Sequence, residues 1–251
     1  MHRFFTSPEN FKNDYVEIKG AELHHLSHVL RLGEGGIIEV LDGEGKCCRV
    51  ELIEVSASVA CGKVLSQTGE DKESPVFINM GLSLLKGKSM DNAIRKAVEL
   101  GVGKIVPIMG LHCVSRLKEN EIPGRIERWA GIVRDAVKQC GRVKVPEIVV
   151  PETVKSYCQD NDETSLKILF WEGEEKTGLS DIDRNEKPTE IQFLVGPEGG
   201  FSLDEVNQAR AAGFITVSLG SRVLRAETVP LVALTLLQYR WGDLASSPLK
   251  T

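Results

Sequence analysis

The sequence predicts an α/β protein, with a mainly parallel sheet and covering helices behind a smaller β-barrel-like domain. Three observations carry that prediction. Over roughly the first 70 residues, short β-like runs are separated by glycine turns at close intervals. The polar stretch Gln67-Thr68-Gly69-Glu70-Asp71-Lys72-Glu73-Ser74-Pro75 then reads as a linker closed by proline. Beyond it, strand-like and helix-like segments alternate, the pattern of a parallel sheet with crossover helices. The expected domains are 1–73 and 74–251.

In the first domain, Ala21 to Leu32 has helical spacing, with Leu23, Leu26, Val29 and Leu30 on one face. Ile37 to Leu41, Cys48 to Ile53 and Ser58 to Cys61 read as strands. In the second, Val76 to Leu85 is strand-like. Met90, Ala93, Ile94, Ala97 and Val98 then mark one face of a helix stopped by Gly101. Lys104 to Met109 is the next strand, and Ile126, Trp129, Ala130, Val133, Val137 and Cys140 keep helical spacing after it. Phe170-Trp171, Ile191 to Val195 and Phe214 to Leu219 are further strands, and Pro230 to Tyr239 is a closing helix.

With 251 residues, 41% hydrophobic and 27% charged, the chain can bury a sizeable core. Its apolar runs, such as Ile105 to Met109, fall far short of the ~18 residues of a membrane helix. Met1 to Thr6 turns polar at once, so no secretory signal is expected. Cys47, Cys48, Cys61, Cys113, Cys140 and Cys158 form no Cys-x-x-Cys pair, which fits reduced thiols in a cytoplasmic protein rather than a disulfide frame or zinc site.

The net charge of −5 hides an asymmetry. Residues 1–74 carry 8 basic and 13 acidic side chains, residues 75–145 carry 13 and 6, and residues 146–251 carry 10 and 17. A basic segment in an acidic chain marks either a phosphate-contacting face or a solvated helix surface.

Two loops have the design of a ligand mouth. Ile191 to Val195 runs into Gly196-Pro197-Glu198-Gly199-Gly200-Phe201, and Ser202 with Glu205 has the spacing of a capping box for the helix that follows. Phe214 to Leu219 runs into Gly220-Ser221-Arg222-Val223-Leu224-Arg225-Ala226-Glu227-Thr228, ahead of a helix with Pro230 in its first turn. Parallel sheets bind ligands beyond the carboxyl ends of their strands, where glycine lets backbone approach closely. A shared pocket is expected, with Glu198, Arg222, Arg225 and Glu227 near it. Lys86-Gly87-Lys88-Ser89 is not a P-loop, because Leu82 stands where that motif requires glycine, and no Gly-x-Gly-x-x-Gly fingerprint is present. His24, His25 and His28 lack further metal ligands at a recognisable spacing, so no metal site is expected.

These residues carry a resemblance. Gly196 to Ser202, Leu219-Gly220 with Leu224-Arg225-Ala226-Glu227-Thr228, and Lys86-Gly87 with Lys96 to Val102 resemble the signatures of the RsmE family of small-subunit ribosomal RNA uridine-N3 methyltransferases. Arg3-Phe4-Phe5, His24 to Arg31, and Gln139 with Arg142 and Pro146 are similar to it as well, so the resemblance spans the whole chain. It implies a SPOUT-type parallel sheet with a carboxyl-terminal trefoil knot behind a PUA-like barrel, and a homodimer. It also implies S-adenosylmethionine held by the two loops, through Leu194, Gly196, Pro197, Glu198, Gly199 and Gly200 on one side. Leu219, Gly220, Val223, Leu224, Arg225 and Thr228 would hold it on the other. Cys140, Ala226 and Val229 depart from the residues common in the family, which makes Ala226 and Val229 the weakest carry-overs at the cofactor loop.

The expected substrate is 16S ribosomal RNA, naked or in the assembled small subunit. Uracil N3 must lose its proton at or before attack, so Arg225 is the expected stabiliser of the resulting charge and Glu198 or Glu227 the proton acceptor. N3 lies on the Watson–Crick edge, so the base must be unpaired or flipped out. Lys86, Lys88, Arg95, Lys96, Arg128 and Arg142 are expected to hold phosphates, with further RNA contacts from Arg3, His25, Arg31 and Gln139. The competing readings are a non-catalytic RNA-binding or assembly factor, a nucleotide-dependent reductase, and methylation of another RNA position.

Overall fold

A computed structural model describes residues 1–68, 73–159, 165–183 and 187–245. Of the expected linker, residues 69–72 lie outside the described residues. The chain divides into two compact units: Met1–Glu73 with Val137–Val145, and Ser74–Ala136 with Pro146–Thr251.

The first unit contains β1 (Arg3–Phe5), β2 (Phe11–Lys12), β3 (Tyr15–Ile18), α1 (Gly20–His24), β4 (Ile37–Leu41), β5 (Cys47–Val55) and β6 (Ala60–Thr68). The expected helix from Ala21 is interrupted: after α1, His25–Val29 winds as a π-turn, ending before Arg31 in a left-handed conformation at φ +53°. The curled sheet runs β1-β4-β5-β6-β3-β2. All pairs are antiparallel except β1 with β4. Register shifts at Arg49/Val50 and Leu52/Glu54 add local twist to β5 and β6. Alternating residues Val16, Ile18, Ile38, Val40, Val50 and Leu52 turn inward on Leu23 and Leu26 and are fully buried. The first three strands escape the sequence pattern because they are only two to four residues long.

Residues 137–145 group with this unit for a physical reason. Val143 packs with Leu41, Cys47 and Phe5. Lys138 Nζ donates to Glu22 at 2.9 Å, and the Arg142 guanidinium is bound by the Glu73 carboxylate.

The second unit contains β7 (Phe77–Ser83), α2 (Lys88–Glu99), β8 (Lys104–Ile108), α3 (Ile122–Cys140, its last turn grouped with the first unit), β9 (Glu147–Ile148) and α4 (Val154–Cys158). There follow β10 (Leu166–Phe170), β11 (Glu190–Val195), α5 (Leu203–Ala211), β12 (Ile215–Val217) and α6 (Val229–Trp241). The sheet order is β12-β10-β11-β7-β8-β9, and every pair is parallel. Helices cover such a sheet on both faces, so its central strands are buried almost throughout rather than alternating. The α2 face anticipated from periodicity is buried: Met90, Ala93, Ile94, Ala97 and Val98. Gln238 of α6 reaches back to the turn after α2, donating to the carbonyls of Leu100 and Gly101 and accepting from Ser74 Oγ. Gly101, at φ +82°, is required there, since a Cβ would collide with the Gln238 amide.

Register decides where the loops fall. Val195 pairs with Leu82 and with Phe170, and Phe170 pairs with Val217, so β7, β10, β11 and β12 end level. Their outgoing loops therefore emerge side by side at one edge of the sheet. All six cysteines are free thiols. No helix among the described residues is long and apolar enough to cross a membrane.

Candidate cofactor pocket

At that edge lies a cavity of about 830 Å³, lined by the ends of three strands and their loops. β11 contributes Gly196, Pro197, Glu198 and Gly200; β12 contributes Ser218 to Glu227, with Val229 of α6 beyond; β10 contributes Phe170, Trp171, Glu172, Glu174 and Glu175.

The β11 loop is built by local chemistry. Ser202 caps α5, its Oγ accepting from Glu205 N–H, while the Glu205 carboxylate accepts from Ser202 N–H at 2.9 Å. Gly200 has φ +68°, and the Glu172 carboxylate fills the place a side chain there would take. Gly220, at φ +102°, faces open space, so its requirement for glycine is purely conformational. Both glycine loops reach one cavity, as the loop design predicts.

Electrostatics set the character of the walls. Glu174 accepts from the Thr216 hydroxyl at 2.6 Å and from the backbone N–H groups of Lys176 and Thr177. Led by the Thr216 bond, these hold its carboxyl down at about 2, so it is anionic at any working pH. Glu198 Oε1 accepts from Lys86 N–H at 3.1 Å, and Glu227 Oε2 accepts from the Ser89 hydroxyl. The segment Lys86 to Ser89, which is not a P-loop, thus touches both carboxylates proposed as proton acceptors. Arg225 lines the cavity, is exposed, and has no ion-pair partner among the described residues.

Several expected site residues stand elsewhere. Leu194 turns its side chain into the core with Tyr157 and Phe201 and is fully buried. Gly199 faces away from the cavity, against His112, and Thr228 is not on the lining. Among the expected phosphate contacts, Arg142 is only 7% exposed and is committed to Glu73. Arg3 is paired with Glu39 at 2.7 Å, Arg128 with Asp91, and Lys96 with Glu99. Arg95 is exposed, bonded to Asn92. Lys86, Lys88, Arg31 and Gln139 are exposed, while His25 is half-buried against the Phe4 ring. No cluster of three metal-binding side chains occurs among the described residues.

The sequence reading passed over the β10 wall, Trp171 to Glu175. Its signal was available, since a loop after any central parallel strand opens at the same edge. Ala226 and Val229, the departures from the family pattern, do line the cavity.

Comparison with known proteins agrees with this architecture. A family described as RNA methyltransferase domain matches residues 72–238, and one described as RNA methyltransferase PUA domain matches residues 18–60. Ribosomal RNA small subunit methyltransferase E of Buchnera aphidicola (subsp. Schizaphis graminum) is 31% identical over 93% of this chain and 94% of its own length. The Bacillus subtilis protein of the same name is 28% identical over 96% and 97%. A solved structure of that enzyme from Neisseria gonorrhoeae, bound to S-adenosyl methionine, is 33% identical. It covers 97% of this chain and 99% of its own, with a TM-score of 0.88. With both of its units matched and its glycine loops around one cavity, the chain belongs to the ribosomal RNA small subunit methyltransferase E family.

Proposed function

We propose that this protein methylates N3 of a uridine in 16S ribosomal RNA, using S-adenosylmethionine held in the cavity beyond β10, β11 and β12. The observation that carries this reading is the convergence of the two glycine loops on one cavity of about 830 Å³, a volume suited to a nucleoside-sized ligand. The walls fit that cofactor. Backbone at Gly220 allows close approach, Trp171, Leu219 and Leu224 offer apolar surface for an adenine, and Glu172, Glu175 and Glu198 suit a cationic sulfonium and ammonium. When bound, the cofactor supplies an electrophilic methyl group.

The residues of the chain then have distinct tasks. Arg225 places a fixed cation beside the uracil, where deprotonation of N3 spreads negative charge onto the flanking carbonyl oxygens. Glu198 and Glu227 each have one oxygen tethered to the Lys86–Ser89 segment, which leaves the other to accept the N3 proton. Because transfer is in line, holding nitrogen and methyl carbon in register supplies much of the rate. Lys86 and Lys88, exposed next to this site, contact RNA phosphates, and Arg31 and Gln139 add contacts from the first unit.

The same reading includes a homodimer, supported by the apolar Leu236 and Tyr239 left exposed on α6, and a cytoplasmic location, where ribosomal RNA is found. It includes the trefoil threading, supported by a strand order that inserts β11 between β10 and β7 before the chain moves out to β12. The test is methylation of small ribosomal subunits lacking the modification, with mass mapping of the product nucleoside. Formation of 3-methyluridine at one site is expected. No incorporation, or methyl on another atom, would refute it.

A further inference from the structure

The loop Met109–Ser115 that follows β8 borders the outer side of the β11 glycine loop, and neither sequence pattern nor the cavity lining singles it out. Two hydrogen bonds and one close backbone approach join it to that loop and to the first turn of α5. His112 Nδ1 lies 3.2 Å from the Gly199 carbonyl oxygen. Leu111 N–H donates to Glu205 Oε1 at 2.8 Å, while the other oxygen of that carboxylate accepts from Ser202 N–H and Oγ. At Gly199 an added Cβ would stand 2.9 Å from His112 Cβ and 3.2 Å from its carbonyl oxygen, so only glycine lets the loops meet this closely.

A carbonyl oxygen only accepts, so His112 Nδ1 carries the hydrogen of this bond and donates it to Gly199. Gly199 lies between Glu198 and Gly200, which both line the cavity. Holding the Gly199 carbonyl from outside therefore sets where those two neighbours stand. On the inner side, Glu198 is tied to Lys86 N–H and Gly200 N–H closes a turn onto the Pro197 carbonyl at 3.0 Å.

We propose that His112 is a positioning residue for the cofactor: with Glu205 as a second anchor, it clamps the glycine loop from behind and fixes the cavity wall. This rests on the function proposed above for what the cavity holds, but the clamp itself does not. His112 is exposed, so its replacement leaves the core intact.

Two variants and two readouts test it. His112→Ala removes the donor, whereas His112→Asn keeps an N–H donor close to the Nδ1 position. In His112→Ala, amide hydrogen exchange at Gly199 to Ser202 should quicken about fivefold or more, and S-adenosylmethionine affinity measured by calorimetry should fall by about the same factor. His112→Asn should return both to within about twofold of the parent. Exchange unchanged in His112→Ala, or His112→Asn as impaired as His112→Ala, would overturn the proposal. If exchange responds while the parent protein binds no S-adenosylmethionine, the clamp stands and the cofactor reading falls.

Discussion

Replacing Arg142 by Met should release residues 137–145 from the first unit and leave RNA binding electrostatics untouched. The guanidinium Nε lies 3.1 and 3.2 Å from the two oxygens of Glu73, whose side chain is 14% exposed, and Arg142 itself is 7% exposed. Methionine keeps most of the apolar stem but strands a buried carboxylate without its principal cation, a change that costs about 3–5 kcal/mol for a pair of this kind. Because Glu73 retains some access to water, the lower end applies, about 3 kcal/mol, or roughly a hundredfold in the opening equilibrium. All three tryptophans, Trp129, Trp171 and Trp241, lie in the second unit, so intrinsic fluorescence is a poor reporter. Amide exchange in β4 and β5 is the suitable assay and should accelerate by about that factor. The double variant Arg142→Met with Glu73→Leu should recover most of it, since an apolar pair of similar volume replaces a buried ion pair at little cost. Exchange within about threefold of the parent, together with a salt dependence of RNA affinity shallower by about one unit, would mean that Arg142 is a phosphate contact after all.

Other outcomes follow from the pocket and its margin. Arg225→Ala should lower turnover by about 10²–10³-fold, as loss of a charge-stabilising donor does, with S-adenosylmethionine affinity within about threefold; unchanged turnover removes Arg225 from the chemistry. Lys88→Ala should reduce the slope of log affinity for RNA against log salt by just under one unit, measured by filter binding, and an unaltered slope excludes a phosphate contact there. The Glu174 carboxyl, held at about 2 against an unfolded value of 4.5, adds stability that is complete above about 4.5 and disappears as pH falls toward 2. Thr216→Val removes the largest cause, so acid unfolding should begin at higher pH, and a carboxyl resonance of Glu174 still titrating near 2 would contradict that origin.

The candidate site was legible in part. Glycine positions and the Ser202/Glu205 cap belong to interactions spanning a few residues, so they are written into local sequence, as is the apolar stripe of α2. Other features depend on partners far along the chain. Lys86 meets Glu198 and Ser89 meets Glu227, at separations of 112 and 138 residues, and Arg142 meets Glu73 at 69. A basic count over residues 75–145 does not distinguish Lys88, which is exposed, from Arg128 and Arg142, which neutralise Asp91 and Glu73.

By itself, then, the amino-acid order determined that there are two glycine-bearing strand–loop–helix units, a β-rich leading region and the family these belong to, because each is encoded by spacing between near neighbours. Tertiary structure alone decided that Gly199 and Leu194 face away from the cavity, that Lys86 and Ser89 meet its two carboxylates, and that residues 137–145 belong with the first unit. The reason is register. Parallel strands are joined through long crossovers, so which loop tips stand level, and which charges meet, is settled only when strands distant in sequence pair.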